Sequence, residues 1–189
     1  MDKILFINSC VRPNSRTREL ADALLDNLVG ELCEVRLCDI SLPLLDLSTM
    51  ERRDRAVRLK DFSDSYFDFA KQFVNADIIV IAAPYWDLMF PASLKAYLEN
   101  ITVTGITFRY SEEGRPQSLC KAKELHYVTT AGGFIEENDF GFSYVEALAQ
   151  KFFEISKIKR YAAEGLDIYG ADVEKIMRKA KADIIAKSP

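Results

Sequence analysis

The sequence predicts a doubly wound α/β fold, a five-stranded parallel sheet in the order 2-1-3-4-5 with helices on both faces. Three observations point there. Short apolar runs alternate with amphipathic stretches along the chain, and right-handed crossovers between parallel strands leave few other arrangements. Two of the runs, Ile4-Leu5-Phe6-Ile7 and Ile78-Ile79-Val80-Ile81-Ala82-Ala83, contain no polar residue, as expected of strands buried on both faces. Three unusual loops follow the first, third and fourth strands, and in this fold class all three fall at one end of the sheet, beside the switch point between strands one and three.

The first strand ends in a polar loop, Asn8-Ser9-Cys10-Val11-Arg12-Pro13-Asn14-Ser15-Arg16-Thr17. Leu20, Ala21, Leu24, Leu25 and Leu28 then recur at helical spacing, with Gly30 as the expected stop. Ser9, Ser15 and Thr17 therefore stand where a strand hands over to a helix. The first amides of a helix lack internal partners and the helix dipole adds partial positive charge, so an anion such as phosphate is stabilised there. The same hydroxyls also suit a plain helix cap. The loop matches neither G-x-G-x-x-G nor G-x-x-x-x-G-K-[ST], which removes the dinucleotide and Walker readings.

Cys33, Val35 and Leu37 alternate with Glu34 and Arg36, the pattern of a strand near a sheet edge. From Glu51 to Lys60 charges of both signs crowd together, and Glu51–Arg55 and Asp54–Arg58 have ion-pair spacing on a solvated helix. Phe62, Tyr66, Phe69, Ala70 and Phe73 predict an amphipathic helix with an aromatic stripe inward. The third strand, Ile78 to Ala83, runs into Pro84-Tyr85-Trp86-Asp87-Leu88-Met89-Phe90-Pro91, and Pro91 opens a helix that buries Leu94, Tyr97, Leu98 and Ile101. A strand tip this rich in large apolar side chains suits a flat ring resting on it.

Residues 105–118 predict a short hairpin insertion turning at Ser111-Glu112-Glu113-Gly114. Leu125 to Thr130 forms the fourth strand, with His126 as a packed side chain, and its loop Thr130-Ala131-Gly132-Gly133 lets backbone approach a ligand closely. Val145, Leu148, Ala149 and Phe152 mark the next helix, Arg160 to Ala163 a last, edge strand, and Val173, Ile176, Met177, Ala180 and Ile184 the final helix.

At 189 residues, 49% hydrophobic and with no repeat or low-complexity tract, the chain reads as one domain with a sizeable core. A net charge of −4 with dispersed Lys and Arg argues against a nucleic-acid surface. No apolar run reaches membrane-spanning length, and the chain enters its first strand without a signal peptide. Cys10, Cys33, Cys38 and Cys120 form no C-x-x-C pair, and with one histidine they offer no metal site, so the expected compartment is the reducing cytoplasm.

The chain resembles the FMN-dependent NAD(P)H azoreductases and quinone reductases of the flavodoxin-like fold over nearly all its length. The resemblance is clearest in Ala83-Pro84-Tyr85-Trp86-Asp87-Leu88, Pro91 to Leu98, Gly105-Ile106-Thr107-Phe108-Arg109-Tyr110, Thr130-Ala131-Gly132-Gly133 and Ala163-Glu164-Gly165. It implies that Ser9, Ser15, Arg16 and Thr17 hold the FMN phosphate, that Pro84, Tyr85, Trp86, Asp87 and Leu88 line the isoalloxazine, and that Thr130, Ala131, Gly132 and Gly133 meet its pyrimidine side. Tyr110 and Phe152 match positions lining the substrate cavity in such proteins, which are typically homodimers. Asp87 departs from a common Asn, and Ala131 from a common Arg.

The implied chemistry is hydride transfer from NADH or NADPH to the flavin and on to a quinone or azo acceptor, with no side chain required as acid or base. Two rivals share the opening loop. Cys10 and Arg16 have the C-x-x-x-x-x-R spacing of low-molecular-weight tyrosine phosphatases, although Pro13 removes an amide that such a cradle needs. The other rival is a flavodoxin-type carrier moving single electrons between proteins.

Overall fold

The computed structural model describes residues 1–136 and 139–187. In chain order its elements are β1 (Lys3–Asn8), α1 (Arg16–Leu25), β2 (Glu31–Arg36), α2 (Leu47–Leu59), a 3-10 turn (Ser65–Phe67), α3 (Asp68–Val74), β3 (Ile78–Ala82), α4 (Ala92–Ile101), β4 (Phe108–Tyr110), β5 (Pro116–Ser118), β6 (Glu124–Thr130), α5 (Phe140–Phe152), β7 (Lys157–Ala163) and α6 (Val173–Lys187). The main sheet is parallel and runs β2-β1-β3-β6-β7, while β4 and β5 form a separate antiparallel hairpin. Counting the main-sheet strands alone gives the expected order 2-1-3-4-5.

The two apolar runs are the sheet's centre. β1 and β3 pair from Ile4 opposite Ile78 to Asn8 opposite Ala82, and side chains alternate between the faces. Leu5, Ile7, Ile79 and Ile81 enter a core with Phe67 and Phe73 of the α3 region, Leu94, Tyr97 and Leu98 of α4, and Val145 and Ala149 of α5. Ile4, Phe6, Val80 and Ala82 enter a second core with Leu20 and Leu24 of α1 and Met177, Ala180 and Ile184 of α6. Both faces of the central strands are thus dry, which is why neither run has room for a polar residue.

Several boundaries differ from the sequence expectation. α1 ends at Leu25, because Asn27 and Leu28 bond the carbonyls of Leu24 and Leu25 in tight turns. Gly30 serves a close approach instead of a helix stop: a Cβ there would lie 2.5 Å from the Asp2 carbonyl, which accepts from the Glu31 amide. The predicted helix from Phe62 begins later, where Asp64 caps the 3-10 turn, and Phe62 meets Phe67 edge-on ahead of it. Arg52 of α2 pairs with Asp64 rather than within its own helix, and Arg53 donates to the Glu99 and Thr102 carbonyls. Nor is α2 wholly a solvated face, since Met50, Arg53, Asp54 and Val57 line a cavity of about 540 Å³ shared with α4 and α5. In β2, Val35 is buried but Cys33 is exposed, against the side chain of Gln72. β7 starts at Lys157, three residues before the expected Arg160, because its main chain already pairs with β6 from Glu124 opposite Lys157 and the Lys157 amide donates to the Lys123 carbonyl at 3.2 Å. Lys157 and Lys159 also sit beside the Glu124 carboxylate at 2.7 and 3.5 Å.

His126 is fully buried in β6, stacked on Tyr161 at 5.8 Å, with Nε2 3.0 Å from Glu124 Oε1. Burial is the largest influence on it and holds its pKa below the ordinary imidazole value, with Lys159 and Lys157 acting the same way against Glu124. The unfolded chain therefore takes up the proton first as pH falls, and stability present above the unfolded histidine pKa is lost below it. The urea midpoint is expected to fall between about pH 7 and about pH 5, and His126→Gln to flatten that slope. A midpoint that does not change over this interval contradicts the assignment.

Candidate functional site

At the C-terminal end of β1 the chain turns towards α1 through Ser9 and Cys10. Ser9 is buried, and both its amide and its hydroxyl donate to the Ala82 carbonyl, at 3.0 and 2.8 Å. The loops leaving β1 and β3 are thereby tied at their roots. Ser15 is the N-cap of α1: its backbone is extended (φ −75°, ψ 120°) and its hydroxyl accepts from the Arg18 amide at 3.3 Å. Thr17 is buried with its hydroxyl 2.6 Å from that of Thr130, which joins the first turn of α1 to the end of β6.

Beyond β3, the Tyr85 amide donates to the Thr130 carbonyl at 3.0 Å, and the chain then makes a two-residue reversal. Trp86 and Met89 exchange main-chain bonds of 2.7 and 2.8 Å, leaving Asp87 (φ 51°) and Leu88 (φ 67°) both left-handed. This is the pattern of a type I′ turn, normally built from Asn and Gly. Leucine there is strained by about 1–2 kcal/mol, and the turn projects Leu88 into solvent at 61% exposure.

The third loop is laced to the segment after β7. The carbonyls of Ala131, Gly132 and Gly133 accept from the amides of Leu166, Asp167 and Gly165 at 3.2, 2.9 and 2.8 Å. Arg160 anchors the far side through Asp139, which caps α5, and Glu164, whose other oxygen accepts from the Ile135 amide.

The three loops enclose a cavity of about 370 Å³ that brings together Ser15, Arg16 and Thr17, then Pro84, Tyr85 and Trp86, then Thr130, Ala131 and Gly132. Its walls are mainly polar at the α1 end and aromatic at Tyr85 and Trp86. Ser9, Asp87, Leu88 and Gly133 are not among its walls: Ser9 lies beneath, and the other three are exposed. Tyr110 and Phe152 stand elsewhere, each edge-on to Phe108 at 5.3 and 5.0 Å, with Phe152 lining the 540 Å³ cavity. Sequence reasoning placed Val11, Arg12 and Asn14 in the opening loop without assigning them to the site, and missed Leu166 and Asp167 as wall residues. The signal for Leu166 and Asp167 was available, since they follow the fifth strand at the same rim.

The donor set suits a planar group with a phosphate tail. A helix N-terminus, a capping hydroxyl and two arginines stand at one end, and the aromatic side chains of Tyr85 and Trp86 stand at the other, beside the main chain of Ala131 and Gly132. It does not suit thiolate chemistry at Cys10. That thiol is buried, and desolvation pushes its pKa up to about 11, so it is protonated at neutral pH. Native protein is expected to alkylate at exposed Cys33 and Cys38 and not at Cys10, and to leave aryl phosphates intact. Rapid labelling of Cys10, or phosphate release abolished by Cys10→Ser, contradicts this.

The family model Flavodoxin_2, described as a flavodoxin-like fold, matches residues 2–187. The chain belongs to this family. Within it, the chain is 34% identical over 191 residues to "FMN-dependent NADH:quinone oxidoreductase 2" of Clostridium acetobutylicum, covering 94% of each protein. It is also 34% identical over 197 residues, 99% of each, to the "FMN-dependent NADH:quinone oxidoreductase" of Lachnoclostridium phytofermentans. A solved azoreductase of Bacillus anthracis superposes with a TM-score of 0.87 at 22% identity, over 100% of this chain and 99% of that one. An FMN-dependent NADH-azoreductase of B. anthracis in complex with FMN gives 0.80 at 18% identity, over the whole of both chains. These two structures establish the shared flavodoxin-like fold.

The left-handed turn yields a stability test. Leu88→Gly is expected to raise the melting temperature by about 2–4 °C, because glycine adopts φ 67° without a Cβ penalty. An unchanged or lower melting temperature contradicts the strain assigned to this turn.

Proposed function

We propose that this chain is an FMN-dependent NADH:quinone oxidoreductase that also reduces azo compounds. The observation that carries the reading is the convergence of three loops on one cavity at the switch point between β1 and β3, with α1 pointing its N-terminus into one end. Bound FMN would supply the redox chemistry, taking a hydride from NADH and delivering it to the acceptor. The protein's share is binding, orientation and exclusion of water.

Ser15, Thr17 and Arg16 would hold the phosphate at the start of α1, with Ser9 setting the loop's position from below through its bonds to Ala82. Pro84, Tyr85 and Trp86 would carry the ring, with the Asp87-Leu88 turn at its edge, while Thr130, Ala131, Gly132 and Gly133 would meet the pyrimidine side with main chain. Among the described residues neither histidine nor cysteine lines the cavity. Burial, followed by Asp139, holds the Tyr85 phenol above its ordinary pKa, so it does not titrate near neutrality. Tyr85 therefore presents a protonated phenol to the cavity. No dinucleotide fingerprint is present, so no dedicated phosphate loop would hold NADH here, and the aromatic walls Tyr85 and Trp86 would be its contacts.

Tyr110 and Phe152 reach the substrate only if a second copy of the chain brings them to the cavity, so the working unit in this reading is a homodimer. The exposed Trp86, Leu88, Phe134 and Tyr110 are apolar surface such an interface would cover. No helix among the described residues is long and apolar enough to cross a membrane, and all four cysteines are free, in keeping with a cytoplasmic enzyme.

Purified protein is expected to carry or bind FMN, to lose the flavin's visible absorbance when NADH is added without oxygen, and to regain it with quinone. Ser15→Ala should weaken FMN binding about fivefold to tenfold. Light scattering should give twice the mass of one chain. Protein that binds no flavin, or flavin that NADH leaves oxidised, overturns the reading.

A further inference from the structure

One wall of the cavity is an anion placed where an anion would bind. Asp167 follows β7, and its amide donates to the Gly132 carbonyl at 2.9 Å, which fixes its backbone beside the β6 loop. Its Oδ1 accepts from Arg16 Nη1 at 2.8 Å. Its Oδ2 uses the space left by Gly132, since a Cβ at that glycine would stand 2.5 Å from the oxygen. Arg16 is the first residue of α1, so the pair spans the phosphate end of the site from α1 to the segment after β7.

Arg16 thus has a carboxylate partner at the phosphate end of the site. A phosphate monoester carries nearly two negative charges at neutral pH. Entering beside Ser15, it must draw Arg16 away from Asp167, a competition that an unphosphorylated flavin does not enter. The side chains are 42% and 70% exposed, so the pair itself is weak and water-screened and opens readily.

We propose that Asp167 is a specificity-determining residue for the cofactor: it competes with the FMN phosphate for Arg16, lowering affinity for the phosphorylated flavin and keeping it exchangeable. The proposal rests on the FMN reading above and concerns its phosphate end alone. Asp167→Asn keeps the side chain's size and the main-chain hydrogen bond to the Gly132 carbonyl while removing the charge.

The test titrates flavin-free wild type, Asp167→Asn, Arg16→Gln and the double variant with FMN and with riboflavin, following quenching of flavin fluorescence. Asp167→Asn is expected to bind FMN about fivefold more tightly, with riboflavin unchanged. In the Arg16→Gln background the same substitution should give little further gain, because the contested cation is gone. An FMN affinity that stays level or falls in Asp167→Asn overturns the proposal, as does equal tightening for riboflavin or a gain that persists without Arg16. Wild type that binds neither flavin overturns the FMN reading itself, a result distinct from normal FMN binding that Asp167→Asn fails to tighten.

Discussion

The Ala82 carbonyl at the tip of β3 is the point on which the site depends. It accepts from both the amide and the hydroxyl of Ser9, so the loop leaving β1 cannot move independently of the loop leaving β3. These are the central strands, each buried on both faces, and their register is fixed by the two cores. From that root the other joints follow: the Tyr85 amide to the Thr130 carbonyl, and the Thr17 hydroxyl to the Thr130 hydroxyl. Three loops distant in sequence become one rigid rim, and a binding site gains affinity when it is organised before its ligand arrives.

The rim divides its work by chemistry. The α1 end is polar, with backbone amides, a capping hydroxyl and charged side chains. The β3 end is aromatic, on a turn whose two central residues are held left-handed. Strain of that kind persists only when the surrounding structure overrides it, and here the reciprocal bonds between Trp86 and Met89 do so. The segment after β7 adds a third contribution. Its amides satisfy the glycine-loop carbonyls, and its Asp167 reaches the phosphate end.

The sheet and most of the rim were legible in the sequence because they rest on local signals. Apolar runs without alternation mark the central strands, and hydroxyls before a helical stripe mark the α1 junction. What was not legible depends on contacts across the fold. Nothing near Ser9 in sequence shows that its hydroxyl is taken by Ala82, 73 positions away. Gly30 looks like a helix stop until the Asp2 carbonyl is found against it. The spacing of Glu51–Arg55 and Asp54–Arg58 suggests contacts along α2, but it gives no sign that Arg52 reaches Asp64 or that Arg53 reaches the end of α4. The position of Asp167 at the rim after the fifth strand was legible, but its pairing with Arg16 was not, because the glycine that admits its carboxylate lies in another loop, 35 positions earlier by the numbering of Gly132 and Asp167.

Trp86 is the only tryptophan of the chain and a wall of the cavity, so its emission reports on the central claim directly. Titration with FMN is expected to quench nearly all tryptophan fluorescence, saturating at one flavin per chain, as contact with an isoalloxazine ring requires. Stoichiometric flavin binding that leaves the Trp86 emission largely intact would place the ring away from these loops and contradict the account.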